Sequence, residues 1–149
     1  MNPAKPVTRW HALAMSSHYQ TATAIRDELL AGDIEEAIEG IEELIAALGR
    51  SDKRELTSQL IRLMAHIIKW ESQPSRRSRS WAGTIENARV EIEELLEAEP
   101  HLKPLVPKLL LELFPKAKRI AEKEMGKTSA STTLSWQQVF EDEYRWGKL

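Results

Sequence analysis

Apolar residues recur along this chain at intervals of three and four, and nowhere alternate with polar ones between turn residues, so the pattern predicts helices throughout and no sheet. A first helix is predicted over 17–31, with Tyr19, Ala22, Ile25 or Arg26, Leu29 and Leu30 on one side and Gly32 ending it. A second opens with Asp33 and Glu36 spaced as a capping box, carries Ile34, Ile38, Ile41, Leu44 or Ile45, and Leu48 as its stripe, and is expected to stop at Gly49. Ser51 then reads as the N-cap of a third helix to about residue 72. Its Leu56, Leu60, Leu63, Ile67 and Trp70, widened by Ile61, Met64 and Ile68, give a face broad enough to meet several neighbours, the mark of a central helix.

The fourth helix carries Trp81, Ile85, Ala88, Ile92, Leu95 and Leu96, starts anywhere between Pro74 and Trp81, and stops before Pro100. In the fifth, Leu105, Leu109, Leu110, Leu113, Ala117, Ile120 and Ala121 form the stripe. Pro104 and Pro107 are tolerable in an opening turn, Pro115 is expected to kink the helix, and Gly126 ends it. Residues 127–133 read as a mobile linker, and a short last helix is predicted from Ser135, capped with Gln138. The expected fold is all-α: one helical domain over 1–149, a bundle of about five to six helices, with an ordered core at about 17–146 and a mobile N-terminus at 1–10.

Composition narrows the chemistry. The chain has no cysteine, which removes disulfides, thiolate metal sites and thiol nucleophiles, and its six scattered glycines cannot build a P-loop or a dinucleotide-binding turn. No apolar run is long enough for a membrane span or for the core of a signal peptide, so a cytoplasmic protein is expected. Net charge is −2, but the sign alternates along the chain. Residues 27–48 hold eight acids and no Lys or Arg, 50–79 eight bases against three acids, 86–99 six acids against one base, and 103–127 seven bases against three acids. This pattern predicts antiparallel neighbours of opposite charge.

The densest set of chemistry-bearing side chains is His66, Lys69, Gln73, Arg76, Arg77 and Arg79, with Trp70 and Trp81 among them. His66, Lys69 and Trp70 share one sector near a helix C-terminus, where the helix dipole favours cations, and the arginines offer planar forks suited to phosphate or carboxylate. Each has a plainer reading. The tryptophans fall on apolar stripes and so belong to the core; His66 lies beside the line of Leu63 and Ile67, where a histidine is usually a hydrogen-bonded structural residue. At least one of Arg77 and Arg79 is expected to meet an acid from 33–43 or 86–99. No catalytic residue, metal ligand or cofactor is assigned: His11 and His18 lack companion ligands, and no nucleophile motif occurs.

Residues 63–85 read LMAHIIKWESQPSRRSRSWAGTI. Here His66, Lys69, Trp70, Gln73, Pro74, Arg77, Ser78, Arg79, Ser80, Trp81, Thr84 and Ile85 resemble the signature of the bacterial family known as domain of unknown function 29. Leu48 to Ser51, and Gln138 to Glu143, resemble its segments elsewhere, so that the likeness covers about 17–146. Thr21, Leu44 and Ala46 depart from it, standing where relatives carry tryptophan or acids. The resemblance implies a helical fold and a bacterial cytoplasmic protein, makes Trp70, Pro74, Trp81, Thr84 and Ile85 structural signature positions, and implies no activity. The leading expectation is a small interaction module that binds another protein, with a homo-oligomer left open. Nucleic-acid or other anion binding through the Arg-Ser-Arg segment is the alternative, and an enzyme acting on an anionic substrate through His66 is the third.

Overall fold

The computed structural model describes residues 8–147, and the chain is all-α, with no strand among them. Five α-helices are formed: α1 (Arg9–Ser16), α2 (His18–Leu30), α3 (Ile34–Ser72), α4 (Arg79–Ala98) and α5 (Val106–Met125). Short 3-10 turns, Pro74–Arg76 and Pro100–Leu105, precede α4 and α5, and a π-helical turn, Gln137–Glu141, lies near the C-terminus. The chain divides into two compact units, Met1–Asp52 and Lys53–Leu149, with the boundary falling inside α3.

The smaller unit begins earlier than the periodicity suggests. Of the stretch 1–10 expected to be mobile, residues 1–7 lie outside the described residues, but Thr8 caps α1 by accepting from the His11 N–H at 3.1 Å, and Trp10 is only 2% exposed. Ser17 is extended and serves two helices, donating its N–H to Leu13 O and accepting from the Gln20 N–H through Oγ. Gly32, at φ +83°, makes the left-handed turn that ends α2. Asp33 then caps α3 by accepting from the Glu36 N–H at 3.2 Å. The reciprocal half of the expected box is absent, because the Asp33 N–H goes to Glu28 O and the Glu36 carboxylate instead accepts from Trp10 Nε1 at 2.9 Å.

Two expectations about this region are corrected. Gly49 and Ser51 do not separate two helices; α3 runs through both, and Gly49 keeps a negative φ. Without an αL turn or an N-cap bond, the Gly–Arg–Ser run is merely a weak helix segment, costing about 1 kcal/mol at the glycine. The apolar stripe is also on the wrong side. Ile34, Ile38, Ile41, Ile45 and Leu48 are exposed, whereas Ala37, Gly40 and Ala47 are buried and Leu44 is half-buried. Small residues let helices approach closely: a Cβ on Gly40 would lie 2.7 Å from Ile25 Cγ1 and 2.8 Å from Trp10 Cζ3. Among the described residues, Trp10, Ile25 and Ala37 form the buried cluster of this unit, with Leu13, Ala24 and Leu44 packed around them, and Ala14 and Ala47 are also buried.

The larger unit holds the main core. Leu56, Leu60, Leu63, Met64, Ile67 and Ile68 of α3 are all fully buried, on both sides of the helix, as expected of a helix with several neighbours. Ala65 and Trp70 of α3, Ile85, Ala88, Ile92 and Leu95 from α4, Leu102 from the turn after it, Val106, Leu109, Leu110, Ala117 and Ala121 from α5, and Leu134 and Val139 beyond it complete the cluster. Ser78 fixes the start of α4 by accepting from the Trp81 N–H at 3.2 Å. Pro107 lies in the first turn of α5, the helix continues through Pro115, and Gly126 follows as a left-handed cap. Residues 127–133 are irregular yet tied down, Lys127 Nζ donating to Ser72 O and the Ser129 N–H to Glu122 Oε2. Ser135 and Gln138 form a complete capping box, each backbone N–H bonded to the other's side chain at 3.1 Å or less.

Candidate functional site

The residues singled out by the sequence lie where α3 ends and α4 begins, all within the larger unit. A helix terminus leaves its last four carbonyls without intrahelical partners. Arg77 answers one of them: after the turn Pro74–Arg76 it reaches back, Nε donating to Trp70 O at 2.8 Å while the guanidinium lies 5.0 Å from the Trp70 ring centroid. The backbone reversal is opened by Pro74 and by Gln73, which is half-buried at φ −132°, ψ 70°.

Lys69 is 8% exposed and its Nζ donates to Glu124 Oε2 of α5 at 2.6 Å, with the Trp81 ring on another side, 5.4 Å to the centroid. A desolvated ammonium of this kind needs a paired carboxylate, and Glu124 supplies it. Trp70 is 5% exposed and meets Tyr144 edge to face at 5.9 Å. Trp81, expected in the core, is only half-buried and packs against the edge of the core cluster from the first turn of α4. Thr84 is half-buried and Ile85 buried in the same helix.

His66 turns its ring toward its own helix, Nδ1 lying 2.9 Å from Arg62 O, which makes Nδ1–H the donor and leaves the lone pair on Nε2. Burial lowers its pKa below the usual histidine value, and the charges of Lys69 and Arg62 push the same way, against the Arg62 carbonyl and Glu124. Arg76 and Arg79 are exposed, and neither makes an ion pair among the described residues; Arg79 lies 5.8 Å from the Trp146 ring centroid. The expected contact of Arg77 or Arg79 with an acid of 33–43 or 86–99 is therefore absent. A backbone carbonyl at a helix end is a strong enough acceptor to take the guanidinium that a surface carboxylate was expected to hold. The segregated charges likewise meet little: among the described residues, the ion pairs joining different helices are Arg9–Glu28, His11–Glu43 and Lys69–Glu124.

Residues the periodicity passed over do as much here. Arg89, 9% exposed, donates Nε to Val139 O at 2.8 Å, one terminal nitrogen to Asp142 O at 2.7 Å and the other to Gln138 O at 3.2 Å. It thereby holds the carbonyl end of the turn Gln137–Glu141, while its guanidinium stacks 5.3 Å from the Tyr144 ring centroid. Tyr144 donates its hydroxyl to Gln138 O at 2.6 Å, and burial among Glu71 and Asp142 raises its pKa far above the ordinary phenol value. One signal was available: Arg89 is the single base among the six acids of residues 86–99, placed four residues after Ile85 and three before Ile92, on the apolar stripe.

Two open clefts mark this unit. One, of about 360 Å³, is lined by Glu71, Ser72 and residues 127–131; the other, of about 200 Å³, by Ala82, Ile85, Glu86, Arg89 and residues 143–145. Neither is lined by His66, Arg76, Arg77 or Arg79, so these do not converge on either cleft. What the cluster does chemically is place positive charge on ring faces and helix ends: Arg77 on Trp70, Lys69 on Trp81, Arg89 on Tyr144. Among the described residues, no helix is long and apolar enough to cross a membrane.

The chain matches the family model described as domain of unknown function DUF29 over residues 18–145 of 149, which takes in α2 to α5 and the C-terminal turn. No curated protein and no solved structure matches it. The Trp70–Arg77 cap, the Lys69–Trp81 stack and the Ser78 cap all fall within the matched span, and the chain belongs to the DUF29 family.

Proposed function

We propose that this protein is a non-catalytic helical module of the bacterial cytoplasm that binds another protein, and that the contact surface is the outward stripe of α3 in its smaller unit. One observation carries the reading: Ile34, Ile38, Ile41, Ile45 and Leu48 are all exposed, Ile34 by 62% and Ile45 by 60%, at successive spacings of four, three, four and three. That is the heptad seam of a helix that packs against another helix. A row of five large aliphatic side chains is a contiguous apolar surface of the kind that marks an interaction site. The cations of the larger unit support the non-catalytic part, since Lys69 and Arg77 near the α3–α4 turn and Arg89 within α4 are each committed to a carbonyl, a carboxylate or a ring.

A phage-displayed library of amphipathic helical peptides, selected on the full chain, tests this. Enriched peptides are expected to lose at least tenfold in affinity on the double variant Ile38→Ser, Ile45→Ser, whose circular dichroism stays that of the wild type because both side chains already face water. Enrichment of nothing, or of peptides that the variant holds equally well, would overturn the reading.

A second reading rests on Arg76 and Arg79, which are exposed and meet no carboxylate among the described residues, and it assigns them a phosphate-bearing partner. It requires oligonucleotide binding that weakens steeply with salt and disappears in Arg76→Gln, Arg79→Gln. A titration at low salt with no binding retires it.

A further inference from the structure

The heptad stripe of α3 is flanked asymmetrically. Successive residues turn by about 100°, so Ala37, Gly40, Leu44 and Ala47 lie to one side of the stripe and Glu35, Glu39 and Glu42 to the other. The first side is occupied, since Gly40 is in near contact with Ile25 and Trp10, and Ala37 and Ala47 are buried. A helix that seats on the stripe must therefore approach from the glutamate side.

Several acids of the smaller unit already have work. Glu28 pairs with Arg9, Glu43 with His11, Glu36 accepts from Trp10, and Asp33 caps α3. Glu35, Glu39 and Glu42 have no ion pair among the described residues, and are spaced by four and three so that like charges line up along one edge. Such a row repels itself, and no ion pair among the described residues relieves it. A second copy of the chain would bring an identical row against it, because its occupied side forces the same approach. An anionic surface would be repelled in the same way. The complement is a row of cations.

We propose that the stripe binds an amphipathic helix of a different protein, one that repeats aliphatic residues in heptads over about 21 Å, the rise from Ile34 to Leu48, and carries Lys or Arg along the edge facing Glu35, Glu39 and Glu42. This rests on the interaction reading given above and adds the charge and shape of the partner. Charge sets partner choice and association rate, while the apolar seam supplies the affinity.

The test uses the full chain and three stapled helical peptides with the same Ile/Leu seam and with Lys, Gln or Glu at the flanking positions, measured by fluorescence anisotropy. The Lys peptide is expected to bind at least ten times more tightly than the Glu peptide at 50 mM salt, the gap closing as salt rises; Glu35→Gln, Glu39→Gln, Glu42→Gln together should erase the gap and leave the Gln peptide unchanged. Equal binding of the three peptides, all lost in Ile38→Ser, Ile45→Ser, overturns the charge assignment and leaves the interaction reading standing. No binding by any peptide, or binding that ignores Ile38→Ser, Ile45→Ser, overturns both. A wild-type dimer in sedimentation equilibrium that the same double variant dissociates, or adsorption to anionic phosphatidylglycerol vesicles that it abolishes, identifies another occupant and overturns the proposal.

Discussion

At the residue scale, function-like side chains are spent on holding the fold. Arg89 satisfies three carbonyls of the C-terminal turn from a position that is 9% exposed. Arg89→Met keeps the length of the side chain and removes all three bonds, so it should cost about 2–4 kcal/mol, because charged donors are lost and buried acceptors are stranded. Urea melts reading a loss under about 0.5 kcal/mol would show that those carbonyls find other donors. His66 makes a pH-dependent contribution. Its folded pKa lies below the ordinary 6.5, so as pH falls through that value the unfolded chain takes up the proton first and stability decreases until the folded ring protonates as well. Above 6.5 both states are neutral at this site and the term vanishes. Difference melts of His66→Gln against wild type should thus diverge below neutral pH; parallel curves there would remove the buried-neutral account. That Arg77 would serve a helix end was not legible, because the sequence displays its charge and its neighbours but not that the Trp70 carbonyl would be left without a partner.

At the scale of elements, caps and stripes were readable wherever one feature decided the outcome. Gly32, Gly126 and the Ser135–Gln138 pair do what their positions suggest, whereas the Ser78 cap that starts α4 was not singled out among the residues from Pro74 to Trp81. Two glycines of α3 show where the rule fails, since the same residue type serves closeness at Gly40 and nothing at Gly49. Replacement by alanine should therefore act with opposite signs. Gly49→Ala meets no atom within 4 Å and relieves a helix interior of glycine, so a gain of about 0.5–1 kcal/mol is expected. Gly40→Ala gains the same propensity but drives Cβ into Ile25 and Trp10 at under 3 Å, and overpacking should leave a net loss of about 1–2 kcal/mol. Thermal melts of the two variants decide it, and a destabilised Gly49→Ala would restore a helix break at that position. The error about the apolar stripe has the same origin. Helical periodicity counts Ile34 to Leu48 as the inner face by hydrophobicity, whereas the inner face was chosen by size, with Ala37, Gly40 and Ala47 admitting Trp10 and Ile25.

At the scale of the whole molecule, charge and core are both unequally divided. The sequence up to Asp52 holds nine acids against four bases, and from Lys53 onward fourteen against seventeen, so the modest net charge hides two units of opposite sign. Among the described residues, the buried apolar clusters number three residues in the smaller unit and twenty in the larger. Apolar burial is the main favourable term in folding, so the smaller unit opens at lower free energy than the larger one. A single helix reports on both. Amides of α3 in residues 37–47 should exchange with solvent markedly faster than those in residues 60–70, although both stretches are hydrogen-bonded in one helix and differ mainly in what covers them. Native-state hydrogen exchange by mass spectrometry resolves the two segments, and equal protection would mean that the helix opens only with the whole fold. A partner helix seated on Ile34, Ile38, Ile41, Ile45 and Leu48 would add apolar contacts where the unit has fewest of its own, so protection in residues 37–47 should rise on adding the Lys-flanked peptide while that in residues 60–70 stays as it was.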